Sequence, residues 1–302
     1  MRYRLHNLIV DSEPTLDHLM AAGSRGPADW IVRRGTVGFD LSDVMYASPW
    51  YRIGRRAFVV EISGVGRFDV REQGRITVDP GVDVIDSDIA PYLTGSILAG
   101  GLMMQGAYLL HACAVKTSVG TLLITGASGA GKSTLTAALV QRGGQLISDD
   151  TCLLTIEQGR VMVHPGAPHI KLWGESLETL GIGVRGLSRV IATEEKFYWP
   201  VRRAFVQTPQ PVNALIELVP CNEVQPKFLE IAGIDKIMKL VLNGYREEYL
   251  GLIGDRKDNF TFWSMVASRI SAFKLLCPRT DTNCCTAHDL AHEVTRCAYH
   301  SR

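Results

Sequence analysis

No run of apolar residues in this 302-residue chain approaches the ~18 needed to span a bilayer. A secretory core is missing as well, because Leu8-Ile9-Val10 is cut off by Asp11. Excess charge of either sign is also absent. Lys plus Arg number 32 against 31 Asp plus Glu, a formal charge of +1, so no global field recruits nucleic acid or an anionic membrane, and any anion binding must be local. The seven cysteines, at 113, 152, 221, 277, 284, 285 and 297, lack paired spacing. That suits reduced thiols better than a disulfide framework. Internal repeats and low-complexity linkers are absent too. What remains is ordinary globular usage, 46% apolar and 21% charged, in a chain long enough for one large or two modest domains. The expectation is a cytoplasmic enzyme or binding protein.

Residues 1–105 read as a small β-rich module with a connecting helix. Phe58 to Ile62, Gly66 to Val70 and Arg75 to Val78 are short β-branched runs separated by glycines and Asp79-Pro80, the pattern of an antiparallel meander. From Asp86 to Gln105 the period turns helical, with Ile89, Tyr92, Leu93, Ile97 and Leu98 on one face. Ser96 to Met104, apolar and interrupted by glycine, reads as its buried part.

Residues 106–302 form the second expected domain. Tyr108 to Val115 and Thr121 to Thr125 read as strands split by a turn at Thr117 to Gly120. A helix follows in which Leu135, Ala138 and Leu139 form the buried stripe and Gly143-Gly144 the stop. Gln145 to Ser148 is the next strand, and Cys152 to Ile156 with Arg160 to Val163 is a hairpin. Further on come a short helix at Gly174 to Leu180, an irregular stretch at Gly181 to Val190, and a strand at Val212 to Val219. Helices are expected at Ile234–Tyr245, Phe262–Leu276 and Ala287–Tyr299.

Between the strand Thr121 to Thr125 and the helix after it lies Gly126-Ala127-Ser128-Gly129-Ala130-Gly131-Lys132-Ser133, followed by Thr134. This matches G-x-x-x-x-G-K-[ST] in the strand–loop–helix setting that the motif requires. Glycine lets the backbone take positive φ, so that successive N–H groups converge on a phosphate while the helix N-terminus adds partial positive charge. Lys132 is suited to bridge the β- and γ-oxygens of a nucleotide such as ATP, and the Ser133 hydroxyl to hold Mg²⁺. An ordinary glycine-rich turn would need neither residue.

Asp149-Asp150 ends the strand after the loop helix. Ligands of open α/β sheets bind outside the carboxyl ends of strands, so the pair is expected to face the loop's crevice. One carboxylate would complete a Mg²⁺ shell and the other would accept a proton from an attacking hydroxyl; the alternative is a solvated turn. His111 reads either as a core histidine or as a polar contact to phosphate.

Leu110 to Val115, the loop, the helix end Gln141-Arg142-Gly143-Gly144 and Leu146 to Asp150 together resemble the catalytic domain of HPr kinase/phosphorylase. The likeness is specific over residues 106–180 and looser beyond. His164 to Trp173 is more similar to divergent HPr-kinase-like proteins, which include kinases of lasso-peptide precursors. The resemblance implies an α/β fold, a P-loop catalytic domain preceded by the β-rich module, and transfer of a phosphoryl group from ATP, with Mg²⁺, to a serine of a peptide or small protein. It implies nucleotide binding at Gly126 to Thr134, metal at Ser133 and Asp149, and catalytic roles for Asp150, Asp149, His111 and Lys132. Homo-oligomers are also implied.

Lys171, Lys196, Arg202 and Arg203 supply cations, one of which would close over the phosphate; the equal alternative for each is a solvated basic edge. Trp173, Phe197, Tyr198 and Trp199 are candidates for lining a peptide groove, or else belong to the core. A nucleotide-driven switch or ATPase shares the loop, but Leu-Ser-Gly-Gly-Gln and Asn-Lys-x-Asp elements are missing; a nucleotide-binding scaffold is a third reading. Finally, Cys284 and Cys285 precede His288 and His292 on the terminal helix, a spacing that allows a metal site or, equally, incidental thiols on a surface helix.

Overall fold

The computed structural model describes residues 1–23, 25–222, 225–245, 256–278 and 286–300, with residues 256, 257 and 297–300 described by backbone only. It is a mixed α/β structure with several sheets. The first sheet has nine strands: β1 (Arg2–Leu5), β2 (Leu8–Ser12), β3 (Met20–Ala21), β4 (Trp30–Arg34), β5 (Val44–Ala47), β6 (Tyr51–Gly54), β7 (Ala57–Ile62), β8 (Gly66–Arg71) and β9 (Arg75–Pro80), in the order β3-β1-β2-β4-β9-β8-β7-β6-β5. Strands β7 to β9 form the expected antiparallel meander. Alternation buries Phe68, Val70, Ile76 and Val78 on one face, where Trp30 fills the centre of the core.

The helical stretch that closes this core is broken into three. Helix α1 (Asp86–Tyr92) contains Pro91, a π-helical turn spans Leu93–Ile97, and α2 (Leu98–Met104) follows. Proline removes a backbone donor and Gly95 departs from helical dihedrals, so the ladder slips by one residue there. The apolar face keeps its direction: Ile89, Leu93, Ile97 and Leu98 are all buried against the first sheet.

The second sheet carries the loop. Its strands are β10 (Tyr108–Leu110), β11 (Cys113–Thr117), β12 (Gly120–Gly126), β13 (Gln145–Ser148), β14 (Cys152–Glu157), β15 (Arg160–Val163), β18 (Gln210–Cys221), β19 (Lys227–Glu230) and β20 (Ser271–Pro278). A separate hairpin pairs β16 (His169–Trp173) with β17 (Lys196–Pro200). Strand β12 runs parallel to β18, and β18 parallel to β20. Because β12 is buried on both faces, its run Thr121-Leu-Leu-Ile-Thr125 is continuously apolar or hydroxylated rather than alternating. Helix α3 (Lys132–Gln141) covers one face. Helices α5 (Gly233–Leu242) and α6 (Arg256–Ala267) cover the other.

Three expectations change. The strand Tyr108 to Val115 breaks at His111-Ala112, with β10 pairing to β14 and β11 to β12. The helix Phe262–Leu276 ends at Ala267, and its second half is strand β20. Helix α3 buries the whole run Leu135 to Val140 rather than a stripe, because α7 (Ala287–His300) packs on its outer side. The short helix α4 (Gly174–Thr179) and the irregular stretch after it agree with the sequence reading.

Candidate active site

The loop from Gly126 to Gly131 leaves the carboxyl end of β12 and enters α3. Gly126 has φ 144°, and a Cβ there would meet the carbonyl oxygen of Leu218 at 2.6 Å. Gly131, with φ 92°, is the left-handed residue that starts α3. Ala127, Ser128 and Gly129 are exposed and Ala130 half-buried, so the loop is open to solvent. Lys132 folds back over it, its Nζ donating to the carbonyls of Gly126 at 2.9 Å and Ala127 at 3.3 Å. The Thr134 hydroxyl lies 2.9 Å from the Ser176 hydroxyl on α4 (Gly174–Thr179).

Asp149 reaches the start of the loop helix. Ser133 Oγ donates to Asp149 Oδ1 at 3.0 Å. The Cys113 thiol donates to the same oxygen at 3.1 Å, and the backbone N–H of Lys171 donates to Asp149 Oδ2 at 2.8 Å. Burial, and then the neighbouring Asp150, push the Asp149 carboxyl above its ordinary range. Burial also pushes the Cys113 thiol up, keeping it neutral.

Asp150 is held differently. Its φ of 72° is left-handed, a conformation that Asp tolerates better than most residues. Its carboxylate lies 3.4 Å from Lys171 Nζ and 3.3 Å from His111 Nδ1. Burial opposes its ionisation, but Lys171, His111 and Lys196 outweigh that and hold it at about 2. The Lys171 ammonium resists its own burial because Asp150 raises its pKa. His111 is driven low by burial, against the pull of Asp150.

His111 sits in the break between β10 and β11, pinned from α5. Its N–H donates to the Asn243 carbonyl at 2.7 Å. Thr125 Oγ1 donates to Asn243 Oδ1 at 2.6 Å and lies 3.2 Å from the His111 carbonyl. Behind it Lys239 Nζ donates to buried Glu217 Oε1 at 2.6 Å, and Asn243 Nδ2 to the Lys239 carbonyl at 2.7 Å.

Of the four cations singled out from the sequence, Lys171 faces the Asp pair and Lys196 acts on Asp150 from β17 while lying 5.3 Å from the Trp173 ring. Arg202 points elsewhere, to the Asp17 carbonyl at 3.2 Å and Met20, because its helical turn abuts the first sheet. Arg203 is exposed. Among the aromatics Phe197 is core, Trp173 is half exposed, and Tyr198 and Trp199 are partly buried. Cys113, Thr125, Glu217, Lys239 and Asn243 were not singled out from the sequence; Glu217 alone carried a signal, as a charge inside the apolar run Val212 to Val219. Cys284 and Cys285 lie outside the described residues, as does the side chain of Cys297. Among the described residues no group of three or more His, Cys, Asp or Glu is placed to hold a metal.

No protein-family model matches the chain, and no curated protein does. A solved structure described as the HPr(Ser) kinase/phosphatase from Coxiella burnetii is similar over 64% of this chain and 95% of that one, at 18% identity and a TM-score of 0.33. At that level neither the activity nor the residues of that protein transfer to this chain. No helix among the described residues is long and apolar enough to cross a membrane.

Proposed function

We propose that the chain is a kinase that moves the terminal phosphoryl group of ATP, with Mg²⁺, to a serine hydroxyl on a peptide or small protein. The contact between Ser133 and Asp149 at 3.0 Å carries the reading. It joins the start of the loop helix to the end of β13 in one crevice, as phosphoryl transfer from a loop-bound nucleotide requires.

Ser133 and Asp149 fit a hard cation: both are oxygen donors, and a divalent charge would offset the burial that now disfavours the Asp149 carboxylate. Mg²⁺ bound there would neutralise charge on the β- and γ-phosphoryl oxygens. The loop amides and Lys132 would grip the polyphosphate once Nζ leaves the Gly126 carbonyl. Asp150 would orient the serine hydroxyl and take its proton as the oxygen–phosphorus bond forms and the bond to ADP breaks. An Asp near 2 is a weak base, but in a loose transition state positioning outweighs base strength. Lys171 and His111 hold that carboxylate in place. Lys171 and Lys196 also supply positive charge for the transferring group. The acceptor class we propose, a ribosomally made precursor peptide of the lasso type, rests on the sequence resemblance alone.

The test is incubation of the full chain with γ-labelled ATP, Mg²⁺ and a mixed-sequence peptide library carrying one fixed serine. Phosphoserine that depends on Asp150 is expected. Release of inorganic phosphate at the same rate with and without peptide would mark an ATPase instead.

A further inference from the structure

The β16–β17 pair presents Lys171 on the face that also borders a cleft. Ile170 and Leu172 point into the core, so His169, Lys171 and Trp173 share the opposite face. The antiparallel register sets Tyr198 beside Lys171 and Pro200 beside His169. One strand step from Lys171, then, His169 and Tyr198 form a wall of a cleft of about 320 Å³.

The facing wall comes from the other end of the chain, at Thr15 to His18 and along α1. The His18 ring stacks on Tyr198 at 5.3 Å and meets His169 edge-on at 5.4 Å, fastening the two walls at the bottom. Gly186 to Arg189 closes the side. Arg189 and Arg202 line one wall, Asp17 and Asp86 the other. Asp17 is exposed and forms no ion pair among the described residues. The Tyr198 hydroxyl is buried without a hydrogen-bond partner among them, although it belongs to the ladder partner of Lys171.

These features select among ligands. Asp86 is paired with Arg34 and Arg189 with Glu195, which leaves Asp17 facing Arg202 and no net positive charge to draw a polyanion such as a second nucleotide. The charged walls disfavour a lipid or an apolar helix. An extended polypeptide, with donors and acceptors along its backbone and side chains of either charge, matches all of them. The volume suits a few residues rather than a folded domain.

We propose that this cleft holds the polypeptide segment flanking the acceptor serine, so that the loop between β2 and β3 and helix α1 supply half of the acceptor site. The inference rests on the kinase reading, and its test separates the two. Hydrogen exchange is measured on the full chain with and without the mixed-sequence serine peptide library, alongside phosphate transfer. Protection of 15–18 and 186–189 is expected in the wild type and is lost in Ser188→Trp, whose ring fills the cleft from an exposed position without touching the loop. In Asp17→Arg, the peptides phosphorylated shift from basic towards acidic flanks by about tenfold, the change that one charge contact of this kind produces. Absence of protection at those segments in the wild type, or an unchanged pattern in both variants, overturns the proposal. Normal protection in a chain that transfers no phosphate keeps the cleft and removes the kinase.

Discussion

Asp150 and Asp149 are sequence neighbours with opposite electrostatics, and the difference comes from what each oxygen touches. Asp149 meets a hydroxyl, a thiol and a backbone amide, all neutral; Asp150 meets Lys171 and His111. Asp150→Asn keeps a residue that accepts φ 72°, so the backbone is not strained, while the buried Lys171 ammonium loses its partner and the urea midpoint falls. Phosphate transfer should fall by ~10²–10⁴ while ATP affinity stays nearly constant, as measured by steady-state transfer to peptide and by nucleotide titration. Equal loss of both would show that Asp150 serves nucleotide binding instead. Thr125→Val keeps shape but removes the hydroxyl that ties Asn243 to the His111 segment. It should lower the unfolding free energy by about 1 kcal/mol and reduce kcat more than it raises the KM for ATP. Restored transfer in Thr125→Ser would confirm that the hydroxyl does the positioning. The strand–loop–helix setting of Gly126 to Ser133 and the place of Asp149-Asp150 after β13 are legible in the sequence, because glycine spacing and the end of an apolar run mark them. The contacts of Cys113, Thr125 and Asn243 are not, because they form only when segments distant in sequence are brought together.

Among the elements, those with a single clear period are legible in the sequence, and those at which the chain changes direction without a turn residue are not. Strand β20 reads as helix in the sequence because no glycine or proline separates it from α6. Its buried residues Phe273, Leu275 and Cys277 alternate with period two, a signal masked by flanking apolar residues. The break at His111 was hidden the same way, yet it is what swings the imidazole towards Asp150. Alternation in His169-Ile-Lys-Leu-Trp173 would have placed Lys171 on the face opposite the core. At the loop, Gly126→Ala adds a methyl against the Leu218 carbonyl at 2.6 Å in a left-handed conformation. It should destabilise the chain by roughly 1–3 kcal/mol, seen as a lower urea midpoint, and weaken nucleotide binding. Gly129, where a Cβ meets nothing within 4 Å, should tolerate Ala better in stability.

Over the whole molecule, histidines gather where the N-terminal sheet meets the rest of the chain. His6 is held at about 4 by burial and by His164, and His18 at about 4 by burial and by Lys171. His169 lies well below its ordinary value through burial and His18. A depressed histidine is neutral in the folded chain and protonated in the unfolded one between its two pKa values. Stability should therefore be complete above pH 6.5 and fall as pH drops towards 4. The limit is about 1.4 kcal/mol per pH unit for each excluded proton, and His6→Gln should flatten the urea-midpoint profile in that window. If the loop and the Asp pair form one Mg–nucleotide site, calorimetric titration of the wild type and Lys132→Ala with ATP, with and without Mg²⁺, shows it. Binding that needs Mg²⁺ and weakens about tenfold or more in Lys132→Ala is the predicted result. Heat that is the same in both proteins and indifferent to Mg²⁺ would contradict it.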